Sequence, residues 1–169
     1  MSKDEPTQAE KIEKLDALLR DIKTAMFTTV DDDTGHLHSR PMHLQGGLDA
    51  GHLYFFTYDQ SPKVGDVQAK RQVNCGFSKP GSNEFVSISG TASLTRDRAK
   101  MEQKWSEPLR AWFADGLDTD GICLIDVDVQ DAQYWHTHNQ TLMHAYGIVK
   151  AALTGEPVQD AGENEKVSL

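Results

Sequence analysis

Leu53-Tyr54-Phe55-Phe56-Thr57-Tyr58-Asp59-Gln60-Ser61-Pro62-Lys63 passes from an aromatic run to a polar turn and then to a helix start. Tyr, Phe and Thr favour extended backbone, so residues 53–58 read as a strand. Successive side chains of a strand point to opposite faces, so one of Phe55 and Phe56 must face inward while the other is free to meet a ligand. Ser61-Pro62 has the pattern of an N-cap followed by proline at the first helical position, which predicts a helix running to about Lys70.

Working outward from this stretch, short strand-like runs separated by turns dominate the chain. Toward the N-terminus, Gly46-Gly47 separates it from a strand over 37–45. Asp31-Asp32-Asp33-Thr34-Gly35 makes a hairpin-type turn back to a strand over 25–30. Before that, Thr7 and Glu10 have capping-box spacing, and Ile12, Leu15, Leu18, Leu19 and Ile22 recur on one face of a helix over 7–24. Toward the C-terminus, residues 72–78 and 85–94 form a second hairpin across Lys79-Pro80-Gly81-Ser82-Asn83. Residues 96–112 read as a helix interrupted at Pro108. Residues 122–129 alternate, with Ile122, Leu124, Asp126 and Asp128 on one face and Cys123, Ile125, Val127 and Val129 on the other. A short run ends at Tyr134-Trp135, and a last helix is predicted over 142–153. The fold expected is mainly β with peripheral helices (α+β), a six-stranded antiparallel barrel. Residues 1–155 form its single domain, and 156–169, small, polar and acidic, form a flexible tail.

The whole chain has 169 residues, with 17 basic and 26 acidic side chains and a net charge of −9. Nucleic-acid binding draws most of its affinity from neutralised phosphates, so nucleic acid is not an expected partner. No run approaches the roughly 20 apolar residues of a membrane span, and no apolar signal region follows Met1-Ser2-Lys3-Asp4-Glu5. Cys75 and Cys123 lie far apart in apolar runs and read as buried reduced thiols, so a cytoplasmic location is expected.

Familiar catalytic motifs are absent: there is no dinucleotide fingerprint, phosphate loop or nucleophile elbow. The aspartate run at 31–33 fails as a calcium loop, because its twelfth position is Met42 rather than a bidentate glutamate. His36 with His38, and His136 with His138, have strand-face spacing, and His144 sits on the predicted last helix. A haem or metal site built on these pairs is one reading, and solvated surface histidines are the other. Charge is distributed more tellingly. Residues 35–80 carry five basic and three acidic side chains, a net +2, which leaves 12 against 23, or −11, for the rest. A basic centre in an acidic chain suits a small anionic ligand. Ser61 and Lys63 flank the start of a helix, where unpaired N–H groups and the helix dipole attract phosphate, and Arg40 can add a bidentate contact from the second strand. The other reading of these residues is a plain helix cap with exposed basic side chains.

The order of motifs resembles a known family. Ser39-Arg40-Pro41-Met42, Leu53-Tyr54-Phe55-Phe56-Thr57, Ser61-Pro62-Lys63, Val73-Asn74-Cys75-Gly76-Phe77, Val86-Ser87-Ile88-Ser89-Gly90-Thr91-Ala92 and Gln133-Tyr134-Trp135 follow one another. The series resembles the general stress protein group of the pyridoxamine 5'-phosphate oxidase-like, FMN-binding split barrels over about residues 15–155. That resemblance implies a six-stranded split β-barrel that forms a homodimer, with FMN (or FAD) bound at the subunit interface. By position, Arg40, Ser61 and Lys63 would hold the phosphate. His38, Ser39, Arg40, Pro41 and Met42, with Phe56 and Thr57, would line the flavin ring. Trp135 would approach it from the second subunit, and Trp112 would lie beside the cleft.

In true pyridoxamine-phosphate oxidases an Arg- and His-rich signature follows the tryptophan matching Trp135. Here His136-Thr137-His138-Asn139-Gln140 contains no arginine, which argues against vitamin B6 oxidation. The implied function is a flavin-dependent oxidoreductase or flavin reductase linked to stress, using a small-molecule electron donor or acceptor. A flavin-binding or flavin-buffering protein without catalysis is the alternative. No side chain is singled out as acid or base, since the flavin itself would carry the reactivity.

Overall fold

The structure, a computed structural model, describes residues 6–136 and 163–167. Its elements in chain order are α1 (Gln8–Ile22), β1 (Thr24–Val30), β2 (Leu37–His43), β3 (His52–Tyr58), α2 (Pro62–Ala69), β4 (Gln72–Lys79), β5 (Glu84–Thr95), α3 (Arg98–Lys104), β6 (Ile122–His136) and β7 (Glu163–Val167). Short 3-10 turns at Pro80–Ser82, Glu107–Ala111 and Gly116–Asp118 join them.

All the strand pairings are antiparallel, in the order β2-β1-β4-β5-β6-β3, with β7 added beside β6. The outer strands β2 and β3 share no ladder. Where they approach, Gln45 N–H donates to Tyr54 O at 2.9 Å. The result is a half-barrel, the split barrel that the motif order implied. No helix among the described residues is long and apolar enough to cross a membrane.

Strand alternation sorts the aromatic run. Phe55 and Leu53 enter the main core with Phe27, Ile88, Ile125 and the α1 residues Leu15, Leu18 and Leu19. Phe27 and Phe55 meet edge to face, with centroids 5.4 Å apart. Tyr54 and Phe56 point the other way, into a second cluster with Met101, Leu109, Phe113, Ile122 and Leu124. This second cluster explains why residues 122–125 are buried on both faces, where simple alternation predicts one.

The capping box forms as the Thr7/Glu10 spacing predicts: Glu10 N–H donates to Thr7 Oγ1 at 3.3 Å, and Thr7 N–H to Glu10 Oε2 at 2.7 Å. The helix predicted over 96–112 is shorter. Pro108 cannot donate to the Lys104 carbonyl and its ring would clash there, so α3 ends at Lys104 and a 3-10 turn takes over at Glu107. Two further expectations need amendment. The runs predicted at 122–129 and around Tyr134 are one continuous strand, β6. Within the stretch expected to be a flexible tail, Glu163–Val167 pairs with Ala132–His136 of β6. Val167 is buried in the main core, and Lys11 Nζ bonds Glu165 Oε2 at 2.7 Å, so this part of the tail is stitched to α1 and the sheet. The helix predicted over 142–153 lies outside the described residues.

Candidate functional site

A cleft of about 380 Å³ opens between the ends of β2 and β3 and the segment after α3. Of the residues singled out in the sequence, Pro41, Met42, Phe56, Thr57, Lys63 and Trp112 line it. One wall is aromatic: Phe56 lies 5.6 Å from Trp105 and 6.1 Å from Phe113, and Tyr58 lies 4.9 Å from Phe113, centroid to centroid. Tyr58 Oη donates to the carbonyl of Trp112 at 2.6 Å, which fixes the backbone that carries the exposed Trp112 ring.

The polar end is built by α2. Ser61 has the extended backbone of an N-cap, φ −69° and ψ 136°, and Pro62 takes the first helical position. The Ser61 hydroxyl does not cap the helix as its N-cap position predicts. It accepts instead from Lys63 Nζ, which also donates to the buried Thr57 Oγ1 at 3.0 Å. The first-turn amides of α2 therefore have no side-chain partner, the condition under which a helix start attracts an anion. Burial, and then the positive charge of Arg40, push the Lys63 ammonium below the usual lysine range. Among the described residues no carboxylate pairs with it.

Arg40 reaches the same helix from β2. Its register opposite Phe27 turns it toward the core side. There Nη1 donates to Thr29 Oγ1 at 2.6 Å, Thr29 donates to Asp66 Oδ2 at 2.6 Å, and Arg40 Nη2 lies 3.7 Å from Asp66. Asp66, on α2, thus holds the guanidinium near Lys63 while answering part of its charge.

The other singled-out residues lie elsewhere. Ser39 faces the outer side of the sheet, 2.7 Å from Thr28 Oγ1. His38 is exposed, 4.0 Å from Asp31. Trp135 sits opposite Phe85 at the far end of β6 from Ile122 and lines no part of the cleft. Among the described residues the histidines do not come together as a site. His36 precedes β2 rather than sharing its face, and His136 lies 2.9 Å from Glu84. His138 and His144 lie outside the described residues. No cluster of three metal-ligating side chains occurs among the described residues.

The cleft also uses His43 and five residues that were not singled out: Thr24, Gln45, Tyr58, Leu109 and Phe113. Tyr58 was within reach, since it shares the Phe56 face of β3. Gln45 carried no local signal: its buried amide donates to His43 O at 3.1 Å and accepts from Ser106 Oγ at 3.3 Å, a contact between distant segments. Leu109 and Phe113 follow the proline break, where helical periodicity no longer indicates a face.

The family model described as pyridoxamine 5'-phosphate oxidase like matches residues 10–159. Protein bli-3 of Neurospora crassa is 29% identical over 160 residues, 88% of this chain and 75% of its own length. A candidate general stress protein 26 from Jannaschia sp. CCS1 superposes with a TM-score of 0.73 at 25% identity, covering 95% of this chain and 99% of its own. The general stress FMN/FAD binding protein of Xanthomonas citri superposes with a TM-score of 0.65 at 27% identity, covering 76% and 92%.

Proposed function

We propose that this chain, which belongs to the pyridoxamine 5'-phosphate oxidase-like family, binds FMN in the aromatic cleft and acts as a flavin-dependent oxidoreductase or flavin reductase. The observation that carries the reading is Lys63: a partly buried ammonium at an uncapped helix start, crowded by Arg40 and facing the cleft. A phosphate dianion would relieve that crowding by accepting from Lys63, Ser61 and Arg40. The cleft volume falls in the range of roughly 300–1,000 Å³ usual for small-molecule sites. Pro41, Met42, Phe56, Thr57 and Trp112 would hold the flavin ring between apolar surfaces, while His38 and Ser39, which do not line the cleft, have no part in this reading.

Bound flavin would supply the two-electron chemistry, while the chain binds the cofactor, orients it and limits water. Trp135, remote from the cleft within one chain, could meet the flavin only as Trp135 of the partner subunit, so the reading includes a homodimer. A stress-linked role accords with the names of the relatives, and a cytoplasmic location with the two buried free thiols, Cys75 and Cys123.

Among the described residues the lining contains no carboxylate, and its titratable side chains are His43, Tyr58 and Lys63. That sparseness favours a carrier or buffer of flavin as the second reading. The purified protein is expected to show a flavin absorbance band and to release FMN on denaturation. Bleaching of the bound flavin by NADH or NADPH marks an enzyme, and no bleaching by either marks a carrier. A colourless protein without micromolar affinity for added FMN contradicts both readings.

A further inference from the structure

We propose that Thr29, on the inward face of β1, is a positioning residue that holds Arg40 and Asp66 apart, so that Arg40 keeps donors free for the phosphate of a bound flavin nucleotide. This rests on the flavin reading above. Thr29 is fully buried and shares its strand face with Ala25 and Phe27. A hydroxyl in that position is costly unless it is hydrogen-bonded. Phe27 pairs with Arg40 across the β1–β2 ladder, which makes Thr29 the diagonal neighbour of Arg40.

The direction of its bonds is forced. A guanidinium only donates, and an ionised carboxylate only accepts. Thr29 Oγ1 therefore accepts from Arg40 Nη1 at 2.6 Å and gives its single proton to Asp66 Oδ2, also at 2.6 Å. Arg40 Nη2 stays 3.7 Å from the same Asp66 oxygen, beyond hydrogen-bond length. In direct contact, an arginine and a carboxylate form a bidentate pair that occupies two parallel N–H groups. Here the hydroxyl takes one N–H, and the rest of the guanidinium has no hydrogen-bond partner among the described residues. The carboxylate still offsets part of the positive charge that Arg40 brings near the partly buried Lys63. Without the hydroxyl the gap closes, and Arg40 turns its donors onto Asp66 instead of the phosphate.

The test titrates FMN and riboflavin into the full-length wild type, Thr29→Val, Thr29→Ser, and Thr29→Val combined with Asp66→Asn. Valine keeps the branched shape of threonine and removes the hydroxyl. Thr29→Val should weaken FMN about tenfold or more, the scale of one charge-assisted contact, and leave riboflavin within about twofold. Thr29→Ser, which retains the hydroxyl, should bind FMN as the wild type does. The double variant has no carboxylate for Arg40 to close onto. Its FMN affinity should return to within about threefold of the wild type, a rescue that a packing role for Thr29 would not give. Unchanged FMN binding in Thr29→Val, equal losses of both ligands, or no recovery in the double variant overturns the role of Thr29 and leaves the flavin reading standing. A wild type that binds neither ligand overturns the flavin reading together with it.

Discussion

Lys63 is a cation held where its charge is costly. Burial and the neighbouring Arg40 both favour the neutral amine, so its pKa lies below the ordinary lysine value. A bound phosphate favours the ammonium. FMN affinity should therefore be complete while Lys63 is protonated and should fall as pH rises through its depressed pKa, below the range where an ordinary lysine titrates. Riboflavin, lacking the phosphate, should show no such fall. Isothermal titration of both ligands from neutral to alkaline pH checks this, and parallel profiles would contradict it. Ser61, Pro62 and Lys63 were legible in the sequence because helix starts obey local rules. The grip of Asp66 and Thr29 on Arg40 was not, because it joins three elements distant in the chain.

At the scale of elements, β6 does the work that the sequence divided between two runs. Its continuity depends on a bulge: Ser89 pairs with Asp131 but Gly90 pairs with Val129, so Gln130 is the additional residue. A Cβ at Gly90 would lie 2.4 Å from Asp128 O and 2.8 Å from Val127 Cγ1, and backbone cannot easily retreat. Gly90→Ala should cost about 1–3 kcal/mol in urea unfolding. Gly65, in α2 with nothing within 4 Å of such a Cβ, is the contrast: Gly65→Ala should stabilise by about 0.5–1 kcal/mol. If both substitutions have the same effect, the bulge is not the cause. Alternation and turn residues announced β1 to β5, four of which form the short-looped hairpins β1–β2 and β4–β5, while β3 pairs with the distant β6. β7 gave no such signal: Glu163-Asn164-Glu165-Lys166-Val167 is mostly polar, and only its pairing with β6 and the burial of Val167 make it a strand.

At the scale of the molecule, the described residues include exposed apolar side chains on one sheet face. Met26 is 48% exposed and Leu37 70%, and the pairings Met26 with Pro41 and Val30 with Leu37 put them on the side away from the core. Ser39 shares that face, and at its centre Asn74 bonds Ser87 at 3.0 Å and Ser89 at 3.2 Å. A second copy covering this face would bury its apolar rim. Sedimentation equilibrium should find a dimer, and Met26→Lys with Leu37→Lys should shift it to monomer while changing intrinsic stability by less than about 0.5 kcal/mol per site. A monomeric wild type contradicts the homodimer. Net charge gave one further clue at this scale: −9 overall hides the basic segment from which Arg40 and Lys63 come.

The claim on which the rest depends is that this segment holds the phosphate of FMN. Its most direct test is the affinity of the wild type and of Lys63→Ala with Arg40→Ala for FMN and for riboflavin. The double variant should lose about 1.5–3 kcal/mol of FMN binding for each charged contact removed, and riboflavin binding should stay unchanged. Equal losses for the two ligands would mean that the phosphate lies elsewhere.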